Sequence, residues 1–193
     1  MKSSILTQID KAITIFTAMR NDNTLLDILE EIVEKIVSTL KADGKVLIAG
    51  NGGSAADAQH ISSELLSRFS FDRPGLPAIA LTTDTSILTA IGNDYGYEKL
   101  FERQVQALGR PGDIFWGIST SGRSPNVLRA MEEARKNNLF VVGFTGENAG
   151  AMGALADLCV CVPSRETPKI QEGHLMLAHI VCGLVEEQMF KRP

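Results

Sequence analysis

The chain has 193 residues, 44% apolar and 22% charged, which suits a single domain with a proper core and excludes a disordered segment. Its net charge of −4 argues against a nucleic-acid surface, and no apolar run reaches the ~18 residues of a membrane span. The opening MKSSILTQIDKAITIF lacks the apolar core of a secretory signal, and Cys159, Cys161 and Cys182, with no CxxC pair among them, read as reduced thiols of a cytoplasmic protein.

In chain order, Ile5, Ile9, Ile13 and Phe16 recur at helical spacing, as do Leu25, Leu29, Ile32, Ile36 and Leu40. The second pattern stops at the polar turn Lys41-Ala-Asp-Gly44. Strand-length apolar runs follow at 45–50, 76–81, 113–118, 140–145 and 158–162, with helical patterns at 54–67, 100–108, 126–137 and about 170–190. Strands that are apolar throughout and alternate with helices predict a doubly wound parallel α/β sheet covered on both faces. Residues 44–193 form that sandwich, and the two helices of residues 1–43 are expected outside it, capping the sheet or meeting another subunit. Ligands of such sheets sit beyond the carboxyl ends of the strands.

Two of those strand ends carry anion-binding chemistry. Gly50-Asn51-Gly52-Gly53-Ser54 runs from the first strand straight into a helix, where glycines permit a close backbone approach and free N–H groups attract an anion. The same glycines also suit a merely tight turn. After the third strand, Ser119, Thr120, Ser121 and Ser124 place four hydroxyls around Gly122 before a helix with Pro125 in its first turn. A helix cap needs one hydroxyl, so four favour a phosphate. His60 and Glu64, four apart, share one face of a helix. The last helix offers Gln171, Glu172, His174 and His179, of which Gln171 and His179 lie roughly on one face. Residue type and spacing alone leave a surface His–Glu pair and half-buried core histidines as the simpler reading.

Together GNGGSAADAQH, LTTDTSILTAIGNDYGYE, GISTSGRSPNV and IQEGHLMLAH resemble the sugar isomerase (SIS) family, and within it the phosphoheptose isomerases, in order along nearly the whole chain. The resemblance implies a flavodoxin-like SIS fold in one domain over residues 1–193. It implies a zinc ion held by His60, Glu64, Gln171 and His179, with Glu64 and His179 as the proton-transferring pair. It also implies sugar-phosphate contacts from Asn51, Gly52, Gly53, Ser54, Glu64, Asn93, Asp94, Ser119, Thr120, Ser121, Ser124 and Gln171. For Asn93 and Asp94 a simple turn is the competing reading. The implied reaction converts D-sedoheptulose 7-phosphate to D-glycero-D-manno-heptose 7-phosphate through an enediol, at the entry to heptose for surface polysaccharides such as lipopolysaccharide. The implied assembly is a homotetramer. A carboxylate held by zinc is a poorer base, so either Glu64 is released in the working complex or another group carries the proton. Two rivals share the fold: a non-catalytic binding protein of the replication-initiator-associating type, and an isomerase for another sugar phosphate. Two departures stand out: Pro168 occupies a place where some relatives carry an acid, and the segment 70–74 reads as a slightly longer surface loop.

Overall fold

The computed structural model describes residues 1–190. Two helices, α1 (Lys2–Arg20) and α2 (Asn23–Lys41), lead into β1 (Val46–Gly50), α3 (Gly53–Leu66), β2 (Ala78–Ala80) and α4 (Thr85–Tyr95). A short 3-10 turn, Tyr97–Lys99, precedes α5 (Glu102–Leu108), β3 (Ile114–Ile118), α6 (Pro125–Lys136) and β4 (Phe140–Thr145). The chain continues through α7 (Gly150–Leu155), β5 (Leu158–Cys161) and α8 (Thr167–Met189). All strand pairs are parallel, in the order β2-β1-β3-β4-β5. That order reverses between β1 and β3, so the crevice in which such sheets bind ligands opens at the carboxyl ends of these two strands.

The strand sequences dictate this layering. VLIAG and IFWGI are buried along their whole length, as a sheet covered on both faces requires. Alternate side chains go to opposite faces. Ile48, Trp116 and Val142, paired across the sheet, join one core with α2, α3 and α8. Leu47, Phe115 and Val141 join the other with α5 and α6. The three cysteines are free, with Cys159 and Cys161 half-buried on β5 and Cys182 buried. No helix among the described residues is long and apolar enough to cross a membrane.

Helix α2 corrects the expectation that both leading helices lie outside the sandwich. Asp22 caps it by accepting from the Leu25 N–H at 3.1 Å, and its stripe Leu25, Leu29, Ile32, Val33, Ile36 and Leu40 is buried in the first core. Helix α1 does lie outside: Met19 is its one buried residue, while Ile5, Leu6, Ile9 and Ile13 are at least half exposed. Two helices were not expected. Helix α4 runs through Gly92-Asn93-Asp94, which reads as a turn, because Asp84 caps its start and Gly96, at φ +90°, ends it. Helix α7 is only six residues long.

The segment after α3, read as a surface loop, holds a buried ion pair. Arg73 and Glu186 of α8 meet at 3.0 Å, with side chains 2% and 1% exposed. Glu186 also accepts the Phe69 and Ser70 N–H groups at 2.8 and 2.7 Å. Burial pushes the Glu186 carboxyl up, but these donors and the guanidinium outweigh it and hold the group below the usual carboxylate range. The rest of the Arg73 fork donates to the Glu64 and Leu65 carbonyls, the last turn of α3. One guanidinium therefore fastens the end of α3 to α8.

Arg73→Ala leaves Glu186 charged, buried and short of a partner, and is expected to cost about 3–5 kcal/mol by urea denaturation. Arg68→Ala, at an exposed position just after α3, is expected to change stability by less than about 0.5 kcal/mol. A second expectation concerns His174, 1% exposed, whose Nε2 lies 3.0 Å from the Thr145 carbonyl. Burial pushes its pKa down to about 4, against the smaller upward pull of the Thr145 bond. The unfolded chain therefore binds a proton below the ordinary value near 6.5 that the folded chain refuses until about pH 4. This contribution is complete above about pH 6.5 and is lost as pH falls toward 4, so denaturation midpoints of His174→Met should fall less steeply over that window.

Candidate functional site

Helices α3 and α8 bring three donor groups to one point. His60 and Glu64 share a face of α3, with His60 Nε2 and Glu64 Oε1 3.3 Å apart. His179, from α8, faces them with its Nε2 2.8 Å from His60 Nε2. The two rings stand edge to face, their centroids 5.0 Å apart, and Phe69 packs tilted against His179. One ligand atom from each of the three residues lies within 4.8 Å of the others. Two imidazole nitrogens at 2.8 Å must share a proton or a cation, since neither bare lone pair nor two N–H groups can face each other. Two imidazoles and a carboxylate are good donors to a divalent cation, whose bonds of ~2.0–2.2 Å hold ligand atoms roughly 3–4 Å apart. The residues present fit a metal ion with small side-chain shifts.

Gln171, about two turns before His179 on α8, faces the start of α3. Its amide lies against Gly53, where any Cβ would collide with Nε2. Gly53 thus makes room for Gln171 at the end of the loop after β1. In that loop Gly52 adopts φ +57°, open to glycine, and Ser54 is buried. After β3, the hydroxyls of buried Ser119 and of Ser124 hydrogen-bond each other at 2.8 Å, and Gly122 turns the chain at φ +63°. Thr120 is half-buried and Ser121 exposed. Both border a cavity of about 430 Å³ that Arg123, Arg165, Thr167 and Ile170 also line. Arg123 therefore reaches the site's edge, although nothing in the sequence assigned it a role. Pro168 is exposed beside it.

Asn93 and Asp94 occupy the last turn of α4, exposed, and bond each other through Nδ2 and Oδ1 at 2.8 Å. A residue the sequence reading missed is Asp57, one helical turn before His60. Its Oδ2 is buried with no partner among the described residues, and burial raises its carboxyl while the nearby His60 pulls it down. The series Asp57, His60, Glu64, at helical spacing, was the signal that could have found it.

A sheet switch point flanked by two glycine- and serine-rich turns that suit an anion, together with a cluster that could hold a metal ion, is the arrangement expected of an α/β protein acting on a phosphorylated small molecule. Comparison narrows that class. Residues 8–146 match the SIS domain family. A phosphoheptose isomerase from Burkholderia pseudomallei (strain 1710b) is 60% identical over 186 residues, 96% of this chain and 94% of its own length. One from Aneurinibacillus thermoaerophilus is 53% identical over 191 residues, 99% of this chain and 96% of its own. The solved structure of a phosphoheptose isomerase from Francisella tularensis superposes with a TM-score of 0.92 at 38% identity, covering 96% of this chain and 97% of that one. The chain belongs to the SIS domain family, among its phosphoheptose isomerases.

The cluster carries a direct expectation. Titration with a divalent cation, followed by calorimetry, should show saturable binding. His179→Ala and Glu64→Gln should each weaken it by at least the roughly 10–100-fold that loss of an outer-shell partner costs. Glu172→Gln, whose carboxylate faces Lys169, should leave it unchanged.

Proposed function

We propose that the protein is an aldose–ketose isomerase that converts D-sedoheptulose 7-phosphate to D-glycero-D-manno-heptose 7-phosphate, in the supply of heptose for surface polysaccharide. The observation that carries this reading is the His60–Glu64–His179 cluster, intact in a chain 60% identical to a phosphoheptose isomerase. A binding protein that had lost catalysis would have no use for that set.

The glycine loop 50–54 and the hydroxyls of Thr120, Ser121 and Ser124 take the phosphate at the switch point, and Ser119 holds Ser124 in place. His60, Glu64, Gln171 and His179 would hold a zinc ion, the mixed nitrogen and oxygen donors being suited to it. When bound, the ion supplies a positive charge that stabilises the negative charge developing on the enediol oxygens. Glu64 takes the proton from C1 of the ketose and returns it to C2, and His179 moves the hydroxyl proton between the two oxygens. Oε1 of Glu64 faces His60, which leaves the other carboxylate oxygen for the carbon-bound proton. Asn93 and Asp94 would reach the sugar hydroxyls only from the exposed end of α4, as a rim contact.

On this reading residues 1–193 form one SIS domain that acts in the cytoplasm as a homotetramer. The exposed Ile5, Leu6, Ile9 and Ile13 of α1 support the assembly, since an apolar stripe of that length is usually covered. The free thiols support the compartment.

Conversion of the ketose phosphate to an aldoheptose phosphate, followed by NMR, tests the proposal. Glu64→Gln should slow it by roughly 10²–10⁴-fold. Chelation should abolish it and added zinc restore it. No turnover by folded, zinc-loaded protein would exclude the reaction and favour an isomerase for another sugar phosphate or a binding protein.

A further inference from the structure

The turns after β1 and β3 are tied together by an amide pair. Asn126, in the first turn of α6 and 1% exposed, donates from Nδ2 to Asn51 Oδ1 at 2.8 Å. In return Asn51 Nδ2 donates to Asn126 Oδ1 at 2.9 Å. The oxygen and nitrogen of an amide have nearly the same shape, so partners decide which way it faces. For Asn126 the decision comes from the main chain: the Val127 N–H donates to its Oδ1 at 3.0 Å, and an N–H cannot donate to an amide nitrogen. Asn126 must therefore turn its own N–H toward Asn51, and Asn51 must answer with its oxygen. The Tyr97 hydroxyl donates to the same oxygen at 3.0 Å. Both acceptor positions of Asn51 Oδ1 are then filled, and the second N–H of its amide remains as a donor at the glycine loop.

An anion at that loop is attracted by an N–H and repelled by a carbonyl oxygen, so the facing of Asn51 matters to the ligand. We propose that Asn126 is a positioning residue for the isomerase reaction. Through the relay from Val127 N–H to Asn126 to Asn51 it fixes Asn51 as a donor to the sugar phosphate and holds the two anion-binding turns in register. This rests on the function proposed above, and it adds a residue that touches no substrate itself.

The test is a double-mutant cycle on KM and kcat for sedoheptulose 7-phosphate. Asn126→Ala should raise KM about 10–100-fold, the usual effect of losing a hydrogen bond to a charged group, with the smaller change in kcat. In an Asn51→Ala background the same substitution should add little to KM, while its effect on melting temperature persists. A wild-type KM in Asn126→Ala, or a penalty that adds in full to that of Asn51→Ala, overturns the relay. Should Asn126→Ala fail to fold, Tyr97→Phe removes only the second donor from a residue 63% exposed. It should raise KM severalfold in the wild-type background alone, and an unchanged KM counts against the proposal. A readout independent of turnover is hydrogen exchange of the Asn51 side-chain amide by ¹H–¹⁵N NMR. Asn126→Ala should accelerate it, and an unchanged rate overturns the relay whatever the substrate. Failure of the wild type to convert the sugar sinks only the function it rests on.

Discussion

The buried pair between Arg73 and Glu186 is the contact on which the site depends. Helix α3 supplies His60 and Glu64, α8 supplies Gln171 and His179, and one guanidinium bonds both the last carbonyls of α3 and a carboxylate of α8. Two charges taken from water into a core are expensive, and here both carboxylate oxygens find donors: Glu186 receives two main-chain N–H groups besides Arg73. The same contact seats Phe69 against His179. The face that carries His60, Glu64 and His179 is thus held from behind by a polar clamp whose geometry is stricter than that of apolar packing.

The turns after β1 and β3 follow a different principle. There the main chain does the positioning, through Gly52 and Gly122 at φ values that side chains rarely adopt. Among the hydroxyls after β3, Ser119 and Ser124 bond each other. One half of the site is therefore set by tertiary contact between helices, and the other by local backbone conformation at two strand ends.

This difference explains what was legible in the sequence. The five strands could be read because each is apolar throughout, and the two turns because glycine and serine at a strand end have a local meaning. The pairing of His60 with His179 could not, since 119 residues separate them and helical spacing reports a face without saying what it meets. Resemblance supplied that pairing. Helix α2 was misplaced for the same reason: its stripe announced burial but not against which sheet face. Arg73 sat in a polar segment that looked like surface, and Asp57 looked like an ordinary helical acid. Helix α4 was hidden by Gly92-Asn93-Asp94, whose turn preference yields to the Asp84 cap.

The long chain separation between His60 and His179 has a further consequence. Closing so large a loop is slow, and the donor set does not exist until both ends of the sheet are in place. An ion held there would bind the native state and ignore the unfolded one. It would then act as a reversible cross-link, adding about 2.7 kcal/mol when free ion stands at 100 times its dissociation constant. Melting temperature would become a function of ion concentration, so supply of the metal would govern how long the protein survives as well as how fast it works.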